Sequence, residues 1–167
     1  VNPDLFPGTA DAARYEMLLT LARDANMNLL RVWGGAGLAK DCFYDLCDRL
    51  GILVWQEFML ACNDYRDGAH YMRVLEQEAT AAILRLRAHP CLALWCGGNE
   101  LFNSWSGMDD QSHVLRLLNK LCYELDYDRP FLPTSPLVGM GHGGYRFNDP
   151  DGGGEVFGVF QSSNLTA

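Results

Sequence analysis

Three short runs at 28–33, 52–58 and 91–96, with a briefer fourth at 131–134, most restrict what this chain can fold into. They are close to continuously apolar, as in Ile52-Leu53-Val54-Trp55 and Cys91-Leu92-Ala93-Leu94-Trp95-Cys96. A strand with one wet face alternates apolar and polar residues. A strand covered on both faces does not, and that is the signature of a parallel sheet. The segments around these runs carry apolar residues at helical spacing. In 9–25 these are Tyr15, Leu18, Leu19 and Ala22, with Thr9 as the expected N-cap. In 40–50 they are Phe43, Leu46, Cys47 and Leu50, stopped by Gly51. Segment 71–88 is a long amphipathic helix ending near His89-Pro90, and 112–125 is another. Helix and strand therefore alternate, and right-handed crossovers pair the strands in parallel. The fold class is α/β. Two architectures fit, the open doubly wound sheet and the (β/α)8 barrel.

Both architectures place chemistry at the C-terminal ends of strands. There the sequence carries Arg31-Val32-Trp33-Gly34-Gly35, Trp55-Gln56-Glu57 and Trp95-Cys96-Gly97-Gly98-Asn99-Glu100. A carboxyl just past a strand end, beside an amide, suits general acid catalysis when it is partly buried. Trp33, Trp55 and Trp95 end three separate runs. Indole faces stack on the C–H faces of sugars, while Arg31, Gln56, Asn99 and Glu100 can read hydroxyls, so the rim resembles a carbohydrate platform. Core packing is the competing reading for each Trp.

Other chemistries fare worse. Gly35-Ala36-Gly37 follows a strand, and Glu57 lies about 20 residues on, the spacing of a ribose-binding acid. The third glycine position holds Lys40, however, so a nucleotide-dependent α/β enzyme is the weaker reading. His142-Gly143-Gly144 looks like an oxyanion loop without the nucleophile elbow to use it. The Asp149–Glu155 stretch lacks EF-hand spacing and reads as a solvated turn. The six cysteines form no C-x-x-C pair, and His70, His89 and His113 have no metal-ligand spacing. No metal and no cofactor are expected. A net charge of −8 argues against a nucleic-acid partner, and no apolar run approaches the ~18 residues of a membrane span. The chain opens on Val1-Asn2-Pro3-Asp4, without Met or a leader, which suggests a segment of a longer polypeptide. The compartment stays open between cytoplasmic, periplasmic and extracellular.

The strand-end motifs resemble a known family. The stretch from Leu86 and Arg87 through His89-Pro90-Cys91, Trp95-Cys96-Gly97-Gly98 and Asn99-Glu100 is similar to the strand-4 segment of glycoside hydrolase family 2. It is nearest the β-mannosidase branch, with its HP, LWCG and NE elements. Arg31-Val32-Trp33-Gly34-Gly35 resembles that branch's strand-2 motif, residues 43–58 its helix-2 and strand-3 block, and residues 1–7 the loop after strand 1. Gly98 departs from the Asn often found there.

The resemblance implies a partial (β/α)8 TIM-barrel catalytic domain over 1–167, spanning roughly strand 2 to strand 5. It would start just after strand 1 and end before the strand-7 nucleophile. It implies a retaining, exo-acting hydrolase of terminal β-linked sugars, β-mannosides first, with Glu100 as general acid/base. Asn99 would bind the C2 substituent, Arg31 and Trp33 would line the glycone subsite, and Gln56, Trp95 and Trp105 complete the expected substrate-binding set. The partner is an oligosaccharide or glycoside, and flanking β-sandwich domains are expected in the full-length protein. Retaining chemistry needs a second carboxyl. None here fits, since Glu155 has no strand before it and Glu57 ends the wrong strand. The isolated segment is expected to be inactive. A sugar-binding pseudoenzyme on the same barrel is the main alternative, and the sequence leaves mannose against glucosamine, galactose or glucuronate open.

Overall fold

The computed structural model describes residues 7–103 and 106–137. Four parallel strands, β1 (Leu29–Val32), β2 (Leu53–Glu57), β3 (Leu92–Cys96) and β4 (Phe131–Leu132), form one sheet in the order β1-β2-β3-β4. They alternate with α1 (Ala12–Asp24), α2 (Asp41–Leu50), α3 (Ala69–Leu86) and α4 (His113–Leu125). A doubly wound sheet reverses its strand order at a switch point. This one runs on without reversal, which is the arrangement of a barrel arc. Each expected strand and helix is present, with trimmed ends except at the start of α3, which begins two residues earlier than expected.

The first helix begins later than its spacing suggests. Asp11, not Thr9, is its N-cap, accepting the Arg14 N–H at 2.8 Å. Thr9 instead closes a short 3-10 turn from Pro7, and its carbonyl accepts the Asp11 N–H. Gly51 ends α2 in the left-handed conformation, as its position implies. Helices pack in pairs, α1 on α2 and α3 on α4.

The strand register sorts the side chains onto two faces. Gln56 pairs with Trp95, while Arg31 pairs with Trp55 and Trp55 with Leu94. The Tyr44 hydroxyl on α2 donates to Gln56 Oε1 at 2.7 Å, and Trp95 Nε1 donates to Asp126 after α4 at 2.7 Å. Gln56 and Trp95 therefore face the helices. Arg31, Trp55 and Glu57 face the other side. Lower on that second face, Leu29 and Leu53 are paired and exposed.

The helix–strand corner before β3 is clipped by Asp48 from α2. Its carboxylate accepts the Cys91 N–H at 2.8 Å and meets His89 Nδ1 at 2.6 Å. Burial opposes the Asp48 charge. The hydrogen bonds from Cys91 and His89 outweigh it and hold the carboxyl below its usual value of 3.8. Among the described residues no helix is long and apolar enough to cross a membrane.

Because the Asp48 pKa is lower in the folded state, its contribution is fully present above pH 3.8 and fades as pH falls through the folded value. Asp48→Asn should cost about 1.5–3 kcal/mol at neutral pH, the range for hydrogen bonds to a charged group. The deficit should shrink at pH 3. Urea unfolding of both proteins at the two pH values checks this.

Candidate functional site

The site is built on Glu57, the last residue of β2. Its carboxylate is 1% exposed. Oε1 accepts Nε of Arg31 from β1 at 2.7 Å, and Oε2 accepts the Gly34 N–H at 2.8 Å. Burial pushes this carboxyl above its ordinary range, and the Arg31 guanidinium opposes the shift. Arg31 Nη2, also 2.7 Å from Glu57 Oε1, donates to Asn99 Oδ1 at 2.7 Å. A guanidinium only donates, so it settles the orientation of the Asn99 amide. Asn99 Nδ2 is thereby turned to Cys62 Sγ, 3.0 Å away. The Cys62 thiol in turn donates to Glu100 Oε2 at 3.3 Å. Burial, together with the hydrogen bond and charge of Glu100, pushes this thiol up, so it remains S–H. Five side chains from the ends of three successive strands thus form one connected line.

The backbone holds the same residues in place. Asn99 N–H donates to Leu60 O at 2.9 Å, and Cys62 N–H donates to Asn99 O at 2.8 Å. Glu100 N–H donates to Ser135 O at 2.7 Å. The Glu100 carbonyl accepts from Asn103 Nδ2 at 2.6 Å and Ser106 Oγ at 3.2 Å. Glu100 has φ of 52°, a left-handed conformation uncommon outside glycine. Two glycines permit the crowding: a Cβ on Gly34 would stand 2.5 Å from the Leu60 and Phe58 carbonyls, and one on Gly98 would stand 2.5 Å from Leu60 O.

Of the residues expected from sequence, the structure brings Arg31, Asn99 and Glu100 together. Trp33 follows β1, half-buried, with its ring lying over Gly35 and a buried Nε1 that has no hydrogen-bond partner among the described residues. Two residues are corrected. Gln56 is fully buried under α2, with Oε1 bound by Tyr44 and Nε2 donating to the Glu57 carbonyl. Trp95 is fully buried, stacked on Phe58 at 5.2 Å and tied to Asp126. Neither side chain can meet a ligand at the strand ends. The three-tryptophan rim is corrected with them, since Trp55 is 5% exposed and lies under Arg31. Trp105, His142 to Gly144 and Asp149 to Glu155 lie outside the described residues. The dinucleotide reading also fails. Residues Gly34–Ala36 form a 3-10 turn, and Glu57, which would have held a ribose, is sealed beneath Arg31 and Gly34.

Sequence reasoning did not find Glu57 as a site organiser, and it took Cys62, which is exposed, for one of six small buried hydrophobes. Cys62 is 38 residues from Glu100 and 37 from Asn99, and no local spacing joins them. The Asp48, His89 and Cys91 side chains could approach one cation from the opposite end of β3. Their hydrogen bonds instead serve the corner described above.

No family model matches the chain. It is similar to the β-mannosidase of Bos taurus, with 36% identity over 153 residues that cover 83% of this chain and 17% of that protein. It is similar to β-mannosidase B of Thermothelomyces thermophilus, with 33% identity over 155 residues, 81% of this chain and 18% of that one. Among solved structures it resembles the β-D-mannosidase of Dictyoglomus thermophilum, with a TM-score of 0.77 and 39% identity over 83% of this chain and 18% of that one. The chain therefore spans under a fifth of the length of the relatives it matches.

Removing Glu57 leaves the Arg31 charge buried without its carboxylate. Glu57→Ala should cost about 3–5 kcal/mol. Glu57→Gln, which keeps an acceptor for Arg31, should cost less. Denaturant unfolding of both variants measures the difference.

Proposed function

The chain belongs to the β-mannosidase-like branch of glycoside hydrolase family 2, and on that footing we propose that it forms strands 2 to 5 of a (β/α)8 catalytic barrel in which Glu100 is the general acid/base of retaining hydrolysis of terminal β-mannosides. The observation that carries this reading is the placement of Glu100. It lies four residues past the end of β3 in a left-handed conformation, next to an Asn99 whose amide is oriented by the buried Arg31–Glu57 pair. Catalytic groups of barrels sit at such strand ends, and backbone held in a sparsely populated conformation concentrates at functional sites.

On this reading the sugar lies over the strand ends, with its C2 hydroxyl toward Asn99. Arg31 and Trp33 line the glycone subsite. Protonated Glu100 donates its proton to the leaving oxygen as a second carboxylate attacks the anomeric carbon. Glu100 then takes a proton from water, and that water releases the sugar from the covalent intermediate. Glu57 is not the second carboxylate. Both of its oxygens are engaged and it is sealed from solvent. The nucleophile comes from strand 7 of the complete barrel, outside this chain. The exposed pair Leu29 and Leu53 on the open face supports further barrel elements covering it. β-Sandwich domains flank the barrel in the whole protein.

Placed in a complete barrel, Glu100→Gln should slow unactivated β-mannosides by about 10²–10⁴-fold, the usual worth of general acid catalysis. Aryl β-mannosides with good leaving groups should lose much less in the first step, because they need little proton donation. Equal turnover of both substrate kinds by mutant and parent would refute the assignment. The chain alone should not hydrolyse an aryl β-mannoside. A turnover comparable to that of the complete barrel would show that the strand-7 nucleophile is not required.

A further inference from the structure

We propose that Cys62 is a positioning residue for Glu100: its thiol binds Oε2 and so restricts the orientation of the carboxyl that donates the proton. The inference rests on the acid/base reading of Glu100. A glutamate side chain has several rotatable bonds, and its two carboxylate oxygens are chemically alike. A donor on one oxygen limits the rotation. Cys62 is the donor here, at 3.3 Å from Oε2.

The thiol is itself aimed. The Cys62 N–H is fixed on the Asn99 carbonyl at 2.8 Å, and Asn99 Nδ2 donates to the sulfur at 3.0 Å. With the sulfur accepting from Asn99, its hydrogen is directed to Glu100. Arg31 sets the Asn99 amide, so Oδ1 cannot exchange places with Nδ2 without setting two donors against each other. The position of Oε2 is thus referred back to the buried Glu57.

Backbone conformation adds an independent sign. Among the described residues only Asn26, Cys62 and Glu100 are non-glycine residues with positive φ. Asn26 lies just past the end of α1, and asparagine enters this region readily. Cys62, with φ of 52°, and Glu100, also 52°, do not share that ease, and they are bonded to each other. Glycine would serve Cys62 better if only the turn mattered.

The test compares Cys62→Ala, Cys62→Ser, Cys62→Gly and Glu100→Gln in a complete barrel carrying this sequence. The readout is kcat and KM for aryl β-mannosides of graded leaving-group acidity and for a β-mannoside disaccharide. Misplacing the acid should lower kcat for the disaccharide by about tenfold in Cys62→Ala, the scale of one hydrogen bond to a charged group. KM should change less, and the loss should shrink as the leaving group improves. Cys62→Ser, which keeps an O–H donor, should recover most of the rate. Cys62→Gly should behave like Cys62→Ala in rate while melting no lower, since it relieves the left-handed backbone. A uniform loss across all leaving groups, or no loss, in Cys62→Ala overturns the inference while a leaving-group-dependent Glu100→Gln leaves the acid/base reading standing. A Glu100→Gln response that ignores the leaving group overturns that reading, and this inference with it.

Discussion

The buried ion pair between Glu57 and Arg31 organises everything above the sheet. Two charges this deep are stable only when each is hydrogen-bonded as well as paired. Glu57 meets that demand with Arg31 Nε on one oxygen and the Gly34 N–H on the other. Arg31 meets it with Glu57 and the Asn99 side-chain carbonyl. The demand has structural consequences. The turn after β1 must bring Gly34 onto β2, and the turn after β3 must bring Asn99 onto β1. Three strand ends are thereby pinned to one another by groups that cannot be left unsatisfied.

That pinning explains the crowding around Gly34 and Gly98, where any side chain would meet a carbonyl at 2.5 Å. It also explains how left-handed backbone is tolerated at Cys62 and Glu100. Each such residue costs on the order of 1–3 kcal/mol and persists only where its surroundings over-determine it. Here the Asn99 backbone, the Ser135 carbonyl, Asn103 and Ser106 do so. A carboxyl held this firmly suits the proton transfer proposed for Glu100, because its orientation is settled before a ligand arrives.

The alternation of elements was legible because burial on both faces leaves continuous apolar runs, and one-sided burial leaves helical spacing. Arg31, Asn99 and Glu100 were legible as polar groups at the ends of such runs. Gln56 and Trp95 were misread for a single reason. Successive strand residues point to opposite faces, and a run covered on both faces carries no mark of which face holds the helices. Gln56 looked like a sugar-reading amide. It is a buried partner of Tyr44. Trp95 looked like a stacking platform. It is packed on Phe58 and anchored by Asp126. Thr9 and Asp11 are both competent caps, and only the start of the helix chooses Asp11.

The sequence by itself determined an α/β chain with parallel strands and a carboxyl-bearing rim, since hydrophobic period and strand-end chemistry are local properties. Its ordered motifs also carried the likeness to family 2 glycoside hydrolases. The tertiary structure alone decided which residues of that rim face one another. Glu57, which the sequence offered as a ribose-binding acid in the weaker nucleotide reading, became the foundation of the site. Cys62 met Glu100 across 38 residues of chain. Such contacts depend on strand register and on the turns that close over it. Both are fixed when buried charges and backbone groups find partners, and no stretch of residues records that outcome locally.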